Sequence, residues 1–388
     1  MGCHTNSNQQ TYLIKKAGRY MHTNQKESFN WLHFSDLHLK PDTEVSFDTS
    51  RARRRLLEFL RTKTTADELP WDYLFITGDI ANRNDYSGSK DFIDKMLEAL
   101  KWTNNNEPRV FWAVGNHDIS QENTIRNTII NSIRDSDDGE GLFVTRMNRT
   151  DDCSKVLCIQ GMNVYKRWHK VLMYREANSP KSTNPHVVYR LPNLNLIVLN
   201  TCLASCDSED EHRLFICDSN LHDLFNNMNP NNPTFVIGHH GNEFFTRKTQ
   251  ETLGFVFDDE NVDLYLCGHS HRVGHMHIPV AGRDIHQITC GGGLVDDYSK
   301  FSFMHGCYDS EKNEVIIVPY SYSEKGNKNW QRDDSLHRRL DGKTPLRLTG
   351  RKPSAKSSKH GGIEKSENKN PVENLLWTFD YLGSTKRK

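Results

Sequence analysis

Residues 72–80 read DYLFITGDI, a run of apolar and β-branched residues that ends in a glycine and an aspartate. Such a run is typical of a short buried β-strand that stops at a polar turn. The pattern occurs four more times, as NWLHFSDLH at 30–38, RVFWAVGNHD at 109–118, TFVIGHHGN at 234–242 and VDLYLCGHSH at 262–271. Five such strands predict a sheet-based fold whose functional groups follow the strand ends.

Amphipathic segments separate the first three strands. Residues 47–70 carry Leu56, Leu57 and Leu60 on one helical face and arginines on the other, and residues 87–103 also show apolar residues at helical spacing. Strands that alternate with helices predict an α/β layered fold. Beyond the fifth strand, three segments alternate apolar and polar residues and predict a second sheet of antiparallel strands; they are 283–294, 301–309 and 313–323.

The composition changes along the chain and predicts three regions. Residues 1–28 form a polar arm, and 29–323 form the domain, with a less regular insertion at about 121–192 that we expect to cover the active face as a lid. From Ser321 onward the chain has 16 Lys and Arg against 8 Asp and Glu, a net charge of +8. Residues 324–388 are therefore predicted to be a basic, disordered tail with a short apolar segment at 372–383. Such a tail could contact nucleic acid or a protein partner, although a solvated tail is the simpler interpretation.

The cysteines and the hydropathy indicate where the protein works. Nine cysteines are scattered without a CxxC pair, which argues against a structural zinc ribbon and favours unpaired thiols, Cys202 and Cys206 included. The first residues lack an apolar leader core, and no apolar run approaches the 18 residues needed to span a membrane. We expect a cytoplasmic protein without a membrane partner.

The polar residues that follow the five strands are candidate metal ligands. Carboxylate, imidazole and amide oxygen suit divalent Mn, Fe, Zn, Co or Ni. In an extended strand end, residues i and i+2 point the same way, so the DLH and GHSH motifs could each direct two side chains to one site. Seven ligands are too many for one zinc ion but suit two ions that share a carboxylate, an arrangement that cleaves phosphate esters. The candidates are Asp36, His38, Asp79, Asn116, His269, His271 and one of His239 or His240.

In order, DLH, GDI, GNHD, GHH and GHSH resemble the motifs of the calcineurin-like metallophosphoesterase superfamily. The resemblance spans about 30–320 and implies a four-layer α/β sandwich of two mixed β-sheets flanked by helices. It also implies two divalent metal ions, with Mn favoured, and a bridging hydroxide that attacks phosphorus.

The resemblance assigns a role to each motif residue. Asp36, His38 and His271 would hold one ion, and Asp79 would bridge the two. The second ion would be held by Asn116, His239 and His269, where His239 is preferred to His240 because the first histidine of such a pair aligns with the family's ligand. His117 would stabilise the transition state or protonate the leaving oxygen, and Asp118 would orient His117.

The substrate class follows less directly. The stretches TGDIANRNDYSGSKDF and RLFICDSNLHDLF are similar to the cyclic-nucleotide phosphodiesterase-like branch, which implies hydrolysis of a phosphodiester or phosphomonoester, with a nucleotide or cyclic nucleotide as substrate. A DNA or RNA nuclease is the first alternative, and a catalytically silent binding module with the same fold is the second. GNHDISQ lacks the Glu and Arg that protein phosphatases place after this motif. His275 and His277 receive no role and are interpreted as surface or packing residues.

Overall fold

The computed structural model describes residues 28–65, 71–102, 110–119, 124–147, 162, 165, 167, 186–206, 210–216, 221–280, 283–294, 301–323, 329–337, 340 and 345–349. Two mixed β-sheets are present, as the sequence predicts. The first has the strand order β12-β11-β10-β1-β2-β3, with β13 paired to β11, and the second has the order β4-β5-β6-β7-β9-β8. The strands are β1 (Phe29–Phe34), β2 (Tyr73–Ile76), β3 (Val110–Trp112), β4 (Val187–Arg190), β5 (Asn195–Val198), β6 (Thr234–Ile237), β7 (Leu264–Cys267), β8 (Gly274–Val280), β9 (Arg283–Thr289), β10 (Ser302–Asp309), β11 (Glu314–Tyr322), β12 (Trp330–Arg332) and β13 (Leu346–Arg347).

Helices cover the outer face of each sheet. The described α-helices are α1 (Phe47–Thr65), α2 (Ser89–Ala99), α3 (Thr124–Arg134), α4 (Gly139–Met147), α5 (Leu221–Leu224), α6 (Arg247–Asp259) and α7 (Asp334–His337). One apolar cluster packs α1 and α2 on the first sheet, and another packs α3, α4 and α6 on the second. A third cluster fills the space between the sheets, where Trp31, Phe75 and Phe235 are fully buried. The molecule is therefore the four-layer sandwich that the motifs imply.

The parallel strands place the polar motifs at one edge. β1, β2 and β3 pair in parallel, and so do β5, β6 and β7. Carboxyl ends of parallel strands meet at the same side of a sheet, so the loops that follow these strands are brought together. None of the described helices is long and apolar enough to cross a membrane.

The structure differs from the sequence expectations in three places. β10 pairs antiparallel with β1 and β11, so the segments at 301–309 and 313–323 extend the first sheet, and of the three only β9 joins the second. β4 pairs with β5 although it lies within the segment predicted to be an insertion. The polar stretch after 323 contains β12, α7 and β13, which join the first sheet because isolated apolar residues such as Trp330, Leu336 and Leu346 are buried there.

Other expectations fall outside the described residues. These are the arm up to residue 27, the part of the proposed lid at 148–161, 163–164, 166 and 168–185, and the tail from 350 to 388 with its apolar segment at 372–383. Cys202 and Cys206 are thiols, as predicted, and each donates a hydrogen bond, to the Val114 carbonyl and to Asn131 Oδ1 respectively.

Candidate metal centre

Five loops converge at the carboxyl ends of the parallel strands. Backbone hydrogen bonds join the loop after β1 to the loop after β2, from Asp36 N to Gly78 O at 3.1 Å and from His38 N to Asp79 O at 2.9 Å. The two sheets are tied together where His269 N donates to Asp36 Oδ2 at 3.0 Å. The strand-end residues predicted from the sequence are therefore neighbours in space.

The backbone of these loops is left-handed rather than extended. Asp36, His38, Asp79, His269 and His271 all have positive φ, between 41° and 67°. Residues other than glycine rarely adopt this conformation, which costs on the order of 1–3 kcal/mol each and is typical of functional sites. The DLH and GHSH side chains were predicted to converge because strand ends are extended. That reason is wrong, because tight left-handed turns direct these side chains inward.

Gly78 shows why a glycine precedes the central aspartate. Its φ is +98°, a conformation that side-chain-bearing residues rarely adopt. A Cβ at this position would also collide with the His239 imidazole. The GD pair therefore allows two loops from different sheets to approach closely.

One group of side chains surrounds Asp36. His271 Nε2 lies 3.2 Å from Asp36 Oδ1, and His38 belongs to the same cluster, in which all ligand atoms lie within 4.8 Å of one another. Asp36 is fully buried. The His38 Nε2 atom is buried and makes no hydrogen bond within the described residues. A buried imidazole nitrogen without a partner beside two carboxylates fits a ligand to a cation.

A second group surrounds Asn116. Its Oδ1 atom lies 2.8 Å from His239 Nε2 and 3.2 Å from His269 Nδ1. His239 Nδ1 lies 2.8 Å from the Thr77 carbonyl and can only donate to it, so Nε2 is the nitrogen directed at the centre. The donor set of amide oxygen and two imidazoles matches a divalent transition ion.

Asp79 connects the two groups. Its Oδ2 atom lies 3.6 Å from His38 Nε2 and 3.4 Å from His239 Nε2, whereas its Oδ1 accepts a hydrogen bond from His117 N at 2.8 Å. One oxygen is thus held by the backbone, and the other faces an imidazole from each group. This is the position that a bridging carboxylate requires.

The electrostatics favour positive charge at the centre. Burial lowers the pKa of His38 to about 4 and that of His269 to about 3, so both are neutral imidazoles near pH 7, the form that binds metal. Burial also opposes protonation of His239, but the Asp79 and Asp36 carboxylates and the hydrogen bond to the Thr77 carbonyl together outweigh it and raise the pKa of His239 to about 9. The carboxylates therefore draw a cation to the point where Asp79 and His239 meet.

His117 lies beside the first group. Its ring packs edge-on against His38, with the centroids 4.7 Å apart, and its Nδ1 is buried without a hydrogen bond in the described structure. The expectation that Asp118 orients this ring is not met. The fully buried Asp118 carboxylate accepts hydrogen bonds from the backbone N–H groups of Asp79, Ala81 and Gly115 and from Trp112 Nε1. The Asp118 oxygens are therefore occupied by these donors, and the hydrogen bonds join the loop after β2 to the loop after β3.

His239 and His240 have different contacts. In the described structure His239 contacts Asn116 and Asp79, which supports the choice made from the motif, and that choice stays a prediction. His240 is equally buried, and its ring packs on His269 with centroids 4.4 Å apart. It also forms a cluster of candidate ligands with His239 and His269.

Thr201 is a residue of the site that the sequence did not suggest. Its Oγ1 accepts from His239 N at 3.2 Å and from His240 N at 3.1 Å, and it lies 3.1 Å from His240 Nδ1. With both lone pairs used, the hydroxyl donates to Nδ1 and places the His240 proton on Nε2. The polar Asn-Thr-Cys that follows the apolar strand β5 was the available signal.

The family model for calcineurin-like phosphoesterases matches residues 29–273, which contain all five loops. The chain belongs to the calcineurin-like phosphoesterase family. Members of this family are generally metal-dependent phosphoesterases, and divalent ions are the cofactors that the family implies.

The chain is also similar to a curated relative and to several solved structures. The chain is 25% identical over 321 residues to the uncharacterized metallophosphoesterase-like protein YydB of Bacillus subtilis, covering 80% of this chain. The match spans 63% of that relative's length. Similar solved structures include GAP50, the anchor in the inner membrane complex of Plasmodium, at 11% identity, with 79% and 88% of the two chains covered and a TM-score of 0.37. Zinc-complexed Vps29 of Entamoeba histolytica matches at 12% identity, with 78% and 98% covered and a TM-score of 0.31.

Proposed function

We propose that this protein is a binuclear-metal-dependent phosphoesterase that hydrolyses a phosphodiester or phosphomonoester, with a nucleotide or cyclic nucleotide as substrate. The observation that carries the proposal is the position of Asp79 Oδ2, 3.6 Å from His38 Nε2 and 3.4 Å from His239 Nε2. A single-ion site needs no carboxylate shared between two complete ligand groups. Asp36, His38 and His271 would hold one ion, Asn116, His239 and His269 the other, and Asp79 both.

The ions, when bound, would supply Lewis-acid activation of water and neutralise charge on the phosphoryl oxygens. The side chains would do the rest. His38 and His269 stay neutral near pH 7 because burial lowers their pKa, so they need no deprotonation before binding. His117, partly exposed and beside the first group, is placed to give a proton to the leaving oxygen.

The substrate would approach from the side of His117 and His271. His271 exposes 25% of its side chain, whereas Asp79 and His239 are buried. Bound phosphate would thus contact the centre from the solvent face, while the bridging carboxylate stays shielded from water. Support for a nucleotide comes from the stretches after GDI and before GHH, which are similar to the cyclic-nucleotide phosphodiesterase-like branch.

A reducing, cytoplasmic location is part of the proposal. Cys202 and Cys206 are four residues apart, and both donate hydrogen bonds as thiols. Thiols that persist in this form are usual where glutathione and thioredoxin keep proteins reduced.

The test is a substrate panel with metal-stripped and Mn-reloaded protein. Bis-p-nitrophenyl phosphate, p-nitrophenyl phosphate, nucleotides, cyclic nucleotides, single-stranded DNA and RNA distinguish the ester classes. We expect activity only after Mn is restored, greatest on nucleotide esters. Inactivity on every ester with Mn, Zn, Fe, Co and Ni would leave the silent binding module as the better account.

A further inference from the structure

Three histidines lie together at the free edge of the second sheet. His275 and His277 are two residues apart on β8, and His277 pairs directly with His286 on β9, so all three side chains are on one face. The ring centroids are 4.7 Å apart for His275 and His277, 5.2 Å for His275 and His286, and 5.1 Å for His277 and His286. One ligand nitrogen from each lies within 4.8 Å of the other two. We call these residues the edge triad.

The edge triad is separate from the dinuclear centre. It shares no residue with the clusters around Asp36, Asp79 and His239. Ile288, which pairs with His275, is buried in the core between the sheets, so the triad lies at the margin of that layer. His286 also lies 3.1 Å, through Nε2, from the Arg347 carbonyl of β13, a strand of the other sheet.

A hydrogen bond to the backbone orients the His286 ring. A carbonyl only accepts, so His286 Nε2 donates to Arg347, and Nδ1 is the nitrogen that faces the other two histidines. That Nδ1 lies 3.1 Å from His275 Nε2. Two nitrogens bound to one tetrahedral zinc, each at about 2.0–2.1 Å from the metal, lie about 3.3 Å apart, so the observed pair already has nearly this spacing.

Exposure supplies an open coordination position. His286 is buried, His275 is half-buried and His277 is exposed, so the triad opens to solvent on the His277 side. Three imidazoles with a fourth position for water are a known zinc arrangement.

We propose that the edge triad binds a zinc ion through His275, His277 and His286. The ion links the edge strand β8 to β9 and, through the His286–Arg347 hydrogen bond, fastens β13 to the second sheet. The proposal does not depend on turnover at the dinuclear centre.

The test counts zinc per chain. Wild type, the His275→Asn/His277→Asn variant and a His212→Asn/His222→Asn control are stripped with chelator, equilibrated with excess zinc, desalted and measured by mass spectrometry. The control histidines are exposed, with 67% and 57% of their side chains accessible. We expect three zinc ions in wild type and control and two in the triad variant. If the dinuclear centre bound no zinc, wild type and control would hold one zinc ion and the triad variant none. A difference of one zinc ion therefore tests the edge triad, whatever the dinuclear centre binds.

A second readout follows the geometry. The cobalt-loaded triad variant should lose the visible absorption of one four-coordinate site, and the variant with the single exposed change, His277→Asn, should bind the last zinc at least tenfold more weakly. Circular dichroism checks that each variant is folded. Equal zinc content and equal zinc affinity in folded wild type and variants would overturn the proposal. The edge triad would then be a cluster of histidines that does not bind metal.

Discussion

Replacement of Asp79 by asparagine removes one negative charge at the point where both ligand groups meet. The change keeps the shape of the side chain and an oxygen that can still accept from His117 N, a hydrogen bond of 2.8 Å in the structure. What disappears is the charged oxygen near His38 Nε2 and His239 Nε2. The fold should therefore persist while metal binding fails.

The expected loss follows from the two contacts. A hydrogen bond to a charged group contributes about 1.5–3 kcal/mol. If the lost carboxylate charge costs each ion at least a comparable amount, about 2 kcal/mol, the loss is about 4 kcal/mol in total. That energy corresponds to about a thousandfold in the combined affinity for two ions. In metal-free protein the variant should also lose one of the charges that raise the pKa of His239 to about 9, so this pKa should fall.

The assay combines Mn titration by calorimetry with hydrolysis of bis-p-nitrophenyl phosphate. Asp91→Asn is the matched control, because Asp91 is a helix-surface carboxylate with 68% of its side chain exposed. We expect the control to behave as wild type and Asp79→Asn to show weak Mn binding and no measurable turnover at low Mn. If Asp79→Asn kept two tightly bound ions and a tenth or more of the activity, the bridging role of Asp79 would be refuted.

Three further predictions concern other residues. His117→Gln should lower turnover by about 10²–10⁴-fold with unchanged metal content, with His222→Gln as control; full activity would remove its proton-transfer role. Asp118→Asn should destabilise the protein by about 1–3 kcal/mol for each buried donor left unmet, measured by urea unfolding, and an unchanged midpoint would contradict the hydrogen bonds described. Burial lowers the pKa of His305 to about 4, below that of an unfolded histidine, so its contribution to stability is complete above pH 6.5 and is lost as the pH falls from 6.5 to 4. His305→Leu should abolish up to about 3 kcal/mol of this acid sensitivity, and an identical pH profile of unfolding would contradict the assignment.

Much of the centre could be predicted because its ligands follow strands. Apolar runs that end in Gly-Asp or Gly-His indicate both the strand and the polar residue after it, and parallel pairing then brings the residues together. The left-handed backbone of Asp36 and His269 could not be predicted, since no pattern in DLH or GHSH requires positive φ. The side chains of each motif do converge, but left-handed turns direct them inward and not the extended strand ends that the sequence argument assumed.

The sheet to which a strand belongs depends on pairing between distant parts of the chain, which the sequence pattern does not show. Alternation in 301–323 shows that strands form but not which sheet accepts them, and β10 lies beside β1, more than 250 residues away in sequence. Trp330 and Leu346 are single apolar residues in a polar stretch, too sparse to predict strands. Asp118 and Thr201 act on backbone groups of distant loops, which only the folded chain brings near.

The central claim is that Asp79 joins two metal sites into one catalytic centre. The most direct measurement is electron paramagnetic resonance of the protein loaded with two equivalents of Mn²⁺, followed by the same measurement on Asp79→Asn. We predict the spectrum of an exchange-coupled Mn pair in wild type and its loss in the variant. Only magnetically isolated Mn²⁺ in wild type, at full loading, would contradict the claim.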